Sequence, residues 1–161
     1  MSNNQNQVDV YILAGEADAG KSKAIKYITD EKRKYVTLKT IANVSLETAR
    51  KVQSIQEAEI AVDDSITELK IRRKVDVIII ALRTDPYKDF PIAKKYIDFY
   101  AKSGYNIKFV AELFNEKQNP SVQNSLKTYC ESKGYTYKEF PFEQQGPDVK
   151  SKKVKQFFGF K

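Results

Sequence analysis

The sequence predicts an α/β fold in which a mainly parallel sheet lies between two layers of helices, as a three-layer α-β-α sandwich. Strand-like and helix-like segments alternate along nearly all of the 161 residues, and this alternation is typical of a parallel sheet covered on both faces. Residues 75–82 are almost all apolar and mostly β-branched, which indicates a strand buried on both faces. A glycine-containing loop joins the first predicted strand to the first predicted helix, at the edge where such sheets bind ligands.

The predicted elements follow one another without an internal repeat. The pattern predicts strands at residues 8–13, 35–41, 60–63, 75–82, 106–111 and 135–140. It predicts helices at residues 22–30, 45–55, 65–73, 92–103 and 120–134. The helix at 45–55 rests on a capping Ser45 and on apolar residues at helical spacing, and the helix from Ser65 rests on a capping-box pattern.

The loop between the first strand and the first helix reads Gly-Glu-Ala-Asp-Ala-Gly-Lys-Ser, from Gly15 to Ser22. It matches G-x-x-x-x-G-K-S, the phosphate-binding signature known as the P-loop, in the strand-loop-helix context that the signature requires. Its glycines can adopt conformations closed to other residues, and the N-terminus of the following helix attracts anions. The sequence therefore predicts a nucleotide-binding loop.

Each position of this loop is a candidate site residue. Lys21 is predicted to place its charge between the β- and γ-phosphates and to act in catalysis, and Ser22 is predicted to offer its hydroxyl to Mg²⁺. The remaining positions are predicted to wrap the phosphates: Gly15, Glu16, Ala17, Asp18, Ala19 and Gly20. The expected cofactors are ATP and Mg²⁺. The alternative is an ordinary glycine-containing loop.

A nucleotide hydrolase of this kind also needs an acidic residue near the metal. Asp63 ends the short apolar run at residues 60–62 and is the predicted magnesium ligand, with a catalytic role. Asp64 could be the magnesium partner instead, or polarise an attacking water. The alternatives are that both are exposed helix-capping acids, or that Asp85, beyond the strand at 75–82, is the acid.

Three further polar residues follow predicted strands. Arg83 and Thr84 come at the carboxyl end of the apolar strand and could face the phosphates, and Asn115 follows the strand at 106–111 and could hydrogen-bond a base. For each of them, an ordinary role as a turn residue stays open.

Composition restricts the class of protein. Hydrophobic residues make up 41% and charged residues 30% of the chain, a balance typical of a soluble globular protein without a membrane span. The single cysteine, Cys130, cannot form an internal disulfide, which favours the reducing cytoplasm. The absence of histidine excludes histidine catalysis and histidine-ligated zinc. The net charge of +7 favours an anionic partner such as DNA, although a lysine-rich solvated surface would give the same charge.

The length of 161 residues suits one P-loop domain. A polar N-terminal tail is predicted at residues 1–7, and a basic and aromatic C-terminal tail at residues 150–161. Lysines beside aromatic residues can hold a nucleic-acid strand. The C-terminal tail could equally be frayed, or its aromatic side chains could pack back onto the domain.

The order of these pieces resembles the ParA/MinD group of P-loop ATPases. That resemblance pairs residues 60–63 with a strand ending in a magnesium-associated Asp, residues 75–86 with an apolar strand and its Pro-containing turn, and Asn115 with a base-contacting Asn. It implies an ATPase that positions or segregates DNA, such as a plasmid, or serves a related mobile element. The group's signature lysine, which reaches across a homodimer, is replaced by Glu16, which implies weak or partner-dependent hydrolysis.

Two other functional interpretations stay open. The first is a small nucleotide or metabolite kinase, in which Arg72, Arg73 or Arg83 would stabilise the transferred phosphoryl group. No Arg-rich lid insertion is evident in the sequence. The second is a degenerate P-loop domain that binds a protein partner, for which the acidic Glu16 in the loop is the main argument.

Overall fold

The computed structural model describes residues 7–29, 35–39, 46–52, 55–69, 75–118 and 124–160. In these ranges strands and helices alternate along most of the chain. The strands are β1 (Asp9–Gly15), β2 (Tyr35–Lys39), β3 (Leu46–Val52), β4 (Val77–Arg83), β5 (Asn106–Leu113) and β6 (Thr136–Phe140). The helices are α1 (Lys21–Ile28), α2 (Val62–Leu69), α3 (Ala93–Lys102), α4 (Ser125–Lys133) and α5 (Pro147–Phe158).

The strands form one sheet in the order β2-β3-β4-β1-β5-β6. Neighbouring strands from β3 to β6 run parallel, and β2 pairs antiparallel with β3 at one edge. The strand that precedes the P-loop, β1, therefore lies between β4 and β5 in the middle of the sheet. The carboxyl ends of these three strands meet at one edge, where the loop lies.

The core is divided by the sheet into two layers. On one face, alternate residues of β1 and β4 such as Ile12 and Ile80 pack with Tyr96 and Ile97 of α3. On the other face, the intervening strand residues pack with α1 and α5, including Ile25. The α/β sandwich with a mainly parallel sheet is confirmed, and so is the burial of both faces of the strand predicted at 75–82.

The predicted strands at 8–13, 106–111 and 135–140 and the helix at 92–103 are confirmed, with ends shifted by a few residues. The strand predicted at 35–41 is confirmed at Tyr35–Lys39, and residues 40 and 41 lie outside the described residues. Helix α1 ends at Ile28, and residue 30 lies outside the described residues. Helix α4 begins at Ser125 with Asn124 as its N-cap, while residues 119–123 lie outside the described residues.

The helix predicted at 45–55 is wrong, because residues 46–52 form β3. This strand pairs antiparallel with β2 and parallel with β4, from Ala49 opposite Val77 to Val52 opposite Ile80. The backbone groups along that edge of β4 need partners in a buried sheet, and β3 supplies them. Apolar residues three apart are compatible with a helix, but this tertiary pairing decides the conformation.

The strand predicted at 60–63 is also wrong. Helix α2 begins at Val62, three residues before the predicted start at Ser65, and Ser65 donates its hydroxyl to the Val62 carbonyl at 2.6 Å. Ile60 and Val62 pack against the core layer that contains Tyr96 of α3. The Tyr96 hydroxyl donates to the Ile60 carbonyl at 2.7 Å. The short apolar run is therefore only partly buried, leads into a helix and does not join the sheet.

Most of the basic and aromatic tail predicted at 150–161 is helical, because residues 147–158 form α5. Phe158 and Phe160 are 2% and 1% exposed and pack on Tyr11 of the central strand. The alternative in which the aromatic side chains pack back onto the domain is confirmed. Most of the predicted N-terminal tail, residues 1–6, lies outside the described residues. No described helix combines the length and the apolar character that a membrane span requires.

Candidate phosphate-binding site

Gly15 ends β1 and turns the chain into the loop against the neighbouring strand β5. A Cβ atom at this position would lie 2.6 Å from the Leu113 carbonyl oxygen and 3.0 Å from the Ala19 Cβ atom. Both distances are too short for a real side chain. Glycine is therefore required here by the close approach of two backbones.

Gly20 closes the loop and caps α1. Its φ angle is 101°, in the left-handed region that favours glycine, and Asp18 also has a positive φ of 63°. The loop is tightened by the Ala19 amide, which donates to the Glu16 carbonyl at 3.2 Å. No side chain caps α1, and its first turn contains no acidic residue. This helix N-terminus is therefore suited to an anion.

Lys21 is buried, and its Nζ donates to two carbonyl oxygens of the loop, Gly15 at 2.8 Å and Glu16 at 2.7 Å. Burial lowers the pKa of Lys21 to about 8, although the negative charges of Glu57 and Asp85 oppose this shift. Within the described part of the chain, no carboxylate forms an ion pair with this ammonium group. The Lys21 ammonium group is thus held by two loop carbonyl groups, and the charges of Glu57 and Asp85 act on it without an ion pair among the described residues.

A cavity of about 850 Å³ opens beside the loop. It is lined by the loop and the start of α1, from Ala17 to Lys23. It is also lined by residues before and within the start of α5: Phe142, Glu143, Gln144, Gly146, Lys150 and Ser151. Glu57 lines it as well, and Phe142 is 44% exposed. The volume lies within the range of cavities that enclose small molecules.

The end of β4 lies directly beside the loop. Arg83 pairs with Gly15 in the sheet, and the Thr84 amide donates to the Gly15 carbonyl at 3.1 Å. The Arg83 guanidinium donates to both carboxylate oxygens of Asp85, at 3.1 and 2.6 Å, and to Glu57 at 3.3 Å. Burial favours the neutral form of Asp85, but this guanidinium outweighs it and lowers the pKa of Asp85.

The structure brings the predicted loop residues Ala17 to Ser22 together on one cavity wall, directly after Gly15 and Glu16, and Ser22 is exposed there. It does not bring Asp63 and Asp64 to them. Both acids are exposed in the first turn of α2, and neither lines the cavity. Asp85, considered from the sequence as the alternative acid, follows the strand adjacent to β1, and its charge acts on Lys21.

Asn115 follows β5 and contacts the loop through its side chain. Its Nδ2 donates to the Ala17 carbonyl at 3.3 Å, and its Oδ1 accepts from the Lys117 amide at 3.0 Å. The side chain therefore supports the loop conformation. Its contact with a base stays a prediction.

Sequence reasoning missed three residues of this region. Gln56 is fully buried and bonds both the amide and the carbonyl of Arg83, each at 3.0 Å, which brings the neighbouring Glu57 to the cavity. The sequence predicts Lys150 as part of the basic C-terminal tail, but Lys150 is buried and its Nζ donates to the Ala19 carbonyl of the loop. No local signal identifies these residues, because strand order and the position of α5 bring them to the site.

No family model and no curated protein matches the chain. Among solved structures, it is similar to the solution NMR structure of a de novo designed protein with a P-loop NTPase fold. The TM-score is 0.51 at 18% sequence identity, and the match covers 94% of this chain and 90% of the designed protein. This similarity concerns the fold alone. The chain has a P-loop NTPase-like α/β fold, with the signature loop at the carboxyl end of its central strand.

Proposed function

We propose that this protein binds a nucleoside triphosphate, with ATP and Mg²⁺ as the expected pair, through the loop from Gly15 to Ser22. The observation that carries the proposal is the buried Lys21 ammonium, bonded only to loop carbonyls among the described residues and lying at an uncapped helix N-terminus. A polyphosphate would supply the anionic hydrogen-bond partner that the Lys21 ammonium group does not have among the described residues. The cavity beside the loop supplies the space.

The surrounding residues also fit a magnesium ion. Mg²⁺ keeps several waters and uses few protein ligands beside the phosphates of its nucleotide. The Ser22 hydroxyl and, through water, the Glu57 carboxylate meet that requirement, because both residues line the cavity. A contribution from Asp63 or Asp64 requires α2 to approach the loop when nucleotide binds.

Isothermal titration calorimetry tests the proposal. ATP, GTP and ADP are titrated into the protein with and without Mg²⁺, and inorganic tripolyphosphate serves as a ligand without a base. We expect saturable binding of at least one nucleoside triphosphate, strengthened by Mg²⁺. Absence of heat and of ligand-induced thermal stabilisation with every ligand at millimolar concentration contradicts the proposal.

The finer proposal is a weak or partner-dependent ATPase of the ParA-like type, acting in DNA or plasmid segregation or a related mobile-element process. The ParA-like type rests on the order of elements from β4 to Asn115. The weak or partner-dependent hydrolysis rests on Glu16, which stands in place of the signature lysine. Glu16→Lys is expected to raise ATP affinity, and to raise turnover and ATP-dependent dimerisation if the dimer forms. Glu16→Gln is the control, because it removes the negative charge without adding a positive one. Brisk hydrolysis by the natural protein, slowed by Glu16→Lys, favours the kinase or another enzyme instead.

A basic surface supports DNA as the anionic partner. Helices α1 and α5 pack side by side, and exposed lysines lie on both: Lys23, Lys26, Lys152 and Lys153. Lys26→Gln and Lys152→Gln are each expected to reduce the slope of log affinity against log salt by about 1. Lys127→Gln, at an exposed position on α4, is the control. No binding to duplex DNA at low salt, with or without ATP, contradicts this role.

Neither remaining interpretation gains a specific observation. For a kinase, Arg83 would have to face the transferred phosphoryl group, but its guanidinium is bonded to Asp85 and Glu57. Arg72 and Arg73 lie outside the described residues. For a degenerate protein-binding domain, the acidic Glu16 in the loop stays the main argument.

A further inference from the structure

Lys150 is a second buried lysine in contact with the P-loop. It lies in the first turn of α5 and is 7% exposed. Its Nζ donates to the Ala19 carbonyl at 3.0 Å and to the Phe114 carbonyl at 2.6 Å. One side chain therefore joins the C-terminal helix, the loop and the segment that follows β5.

The bond to Ala19 also orients the next amide. A peptide unit is planar and trans, so its carbonyl and its N–H group point in opposite directions. With the Ala19 carbonyl turned toward Lys150, the Gly20 N–H is turned away from it. Gly20 is the N-cap of α1, where amide groups lack partners within the helix and are available to an anion.

The charge of Lys150 adds to this effect. A cation bonded to a carbonyl polarises the peptide unit and makes its N–H a stronger donor. In the described residues no carboxylate forms an ion pair with Lys150. Its methylene chain also lies against Gly20, since a Cβ at that position would be 3.9 Å from the Lys150 Cδ.

We propose that Lys150 is a positioning residue of the phosphate site, which fixes the Ala19–Gly20 peptide so that the Gly20 amide donates to a bound polyphosphate. The inference rests on the proposed function, because it assigns a role toward the same ligand. Lys150 acts here through the loop and not as a direct ligand. Its effect should therefore be the same for any ligand that carries the polyphosphate.

The test compares Lys150→Met with Lys127→Met. Both variants lose one lysine, but Lys127 is exposed on α4 and does not line the cavity. Affinities for Mg·ATP and for inorganic tripolyphosphate are measured by calorimetry. We expect Lys150→Met to weaken both by a similar factor, about ten- to a hundredfold, as for a lost charge-assisted hydrogen bond. Lys127→Met should bind as the natural protein does, and Lys150→Arg should recover part of the loss.

A spectroscopic measurement separates positioning from a merely structural role. In ¹H–¹⁵N NMR spectra, the Gly20 amide of the natural protein should shift strongly on addition of tripolyphosphate, and the shift should be smaller in Lys150→Met. If that variant does not fold, the natural protein decides, because an unshifted Gly20 amide at saturating ligand overturns the inference. Equal affinities of Lys150→Met and Lys127→Met overturn the inference alone. Failure of the natural protein to bind either ligand overturns the proposed function as well.

Discussion

A buried ammonium group is costly unless its protons find acceptors, and Lys21 finds two in the loop to which it belongs. This arrangement keeps the side chain in place without a carboxylate partner in the described part of the chain. A carboxylate ion pair would compete with a phosphate for the same charge. Burying Lys21 without a carboxylate partner thus lowers the stability of the free protein and leaves the ammonium charge available to an anion.

The lowered pKa of Lys21 predicts a pH dependence of stability. The pKa falls from 10.5 to about 8 on folding, so between these values the unfolded chain binds more protons than the folded chain, and stability rises with pH. Burial penalises only the charged form, which disappears over that interval. Urea unfolding at pH 7.5, 8.5 and 9.5 should show this rise in the natural protein relative to Lys21→Met. A constant difference between the two proteins across this range contradicts the account.

Among the elements, β3 shows where sequence patterns are insufficient. The apolar residues of 46–55 are spaced as in a helix, yet pairing with β2 and β4 makes 46–52 a strand. The P-loop, in contrast, is specified by local residues. Gly15 and Gly20 each meet a requirement of the turn that no other residue type meets equally well, and Lys21 donates to the carbonyl groups of the loop itself. The motif is therefore predictable from the sequence, whereas strand β3 and the site residue Glu57 that follows it are not.

Helix α4 carries a prediction at the scale of one element. The Asn124 Oδ1 accepts from the Leu126 and Lys127 amides, and its Nδ2 donates to Glu112 at 2.8 Å and Glu139 at 3.0 Å. Asn124→Ala should lower the free energy of unfolding by about 2 kcal/mol, through the lost cap and the lost donor to a buried carboxylate.

Asn124→Asp provides the matched comparison, because Asp caps a helix as well as Asn does. It places a third carboxyl group beside Glu112 and Glu139, and burial already raises the pKa of Glu112. We expect Asn124→Asp to be less stable than Asn124→Ala at pH 7, with the gap narrowing as the pH falls. Urea denaturation checks this order, and an Asp variant as stable as the natural protein contradicts it.

For the molecule as a whole, the C-terminal helix is part of the core and of the site. Val154 is fully buried between α1 and the sheet, and Phe158 packs on Tyr11. Sequence composition indicated the basic and aromatic character of this segment. It could not indicate the packing, because the contacts of α5 join residues more than a hundred positions apart, such as Lys150 and Ala19. The same separation explains why Lys150 was missed as a site residue.

Phe158→Ala should therefore lower the free energy of unfolding by about 3–5 kcal/mol, as expected for a large cavity in a packed core. Phe142→Ala is the control, since Phe142 is 44% exposed, and it should cost less than about 1 kcal/mol. Denaturant unfolding measures both. Equal stability of the two variants contradicts the assignment of α5 to the core.

The central claim is that the loop from Gly15 to Ser22 binds a nucleoside triphosphate through Lys21. The most direct measurement is the calorimetric affinity for Mg·ATP of the natural protein, of Lys21→Ala and of Lys127→Ala, whose lysine is exposed on α4 and does not line the cavity. We predict a loss on the order of a hundredfold for Lys21→Ala, from the lost charge-assisted hydrogen bonds to phosphate. Lys127→Ala should change the affinity by less than about threefold, and all three proteins should stay folded. A folded Lys21→Ala variant that binds Mg·ATP as tightly as the natural protein contradicts the account.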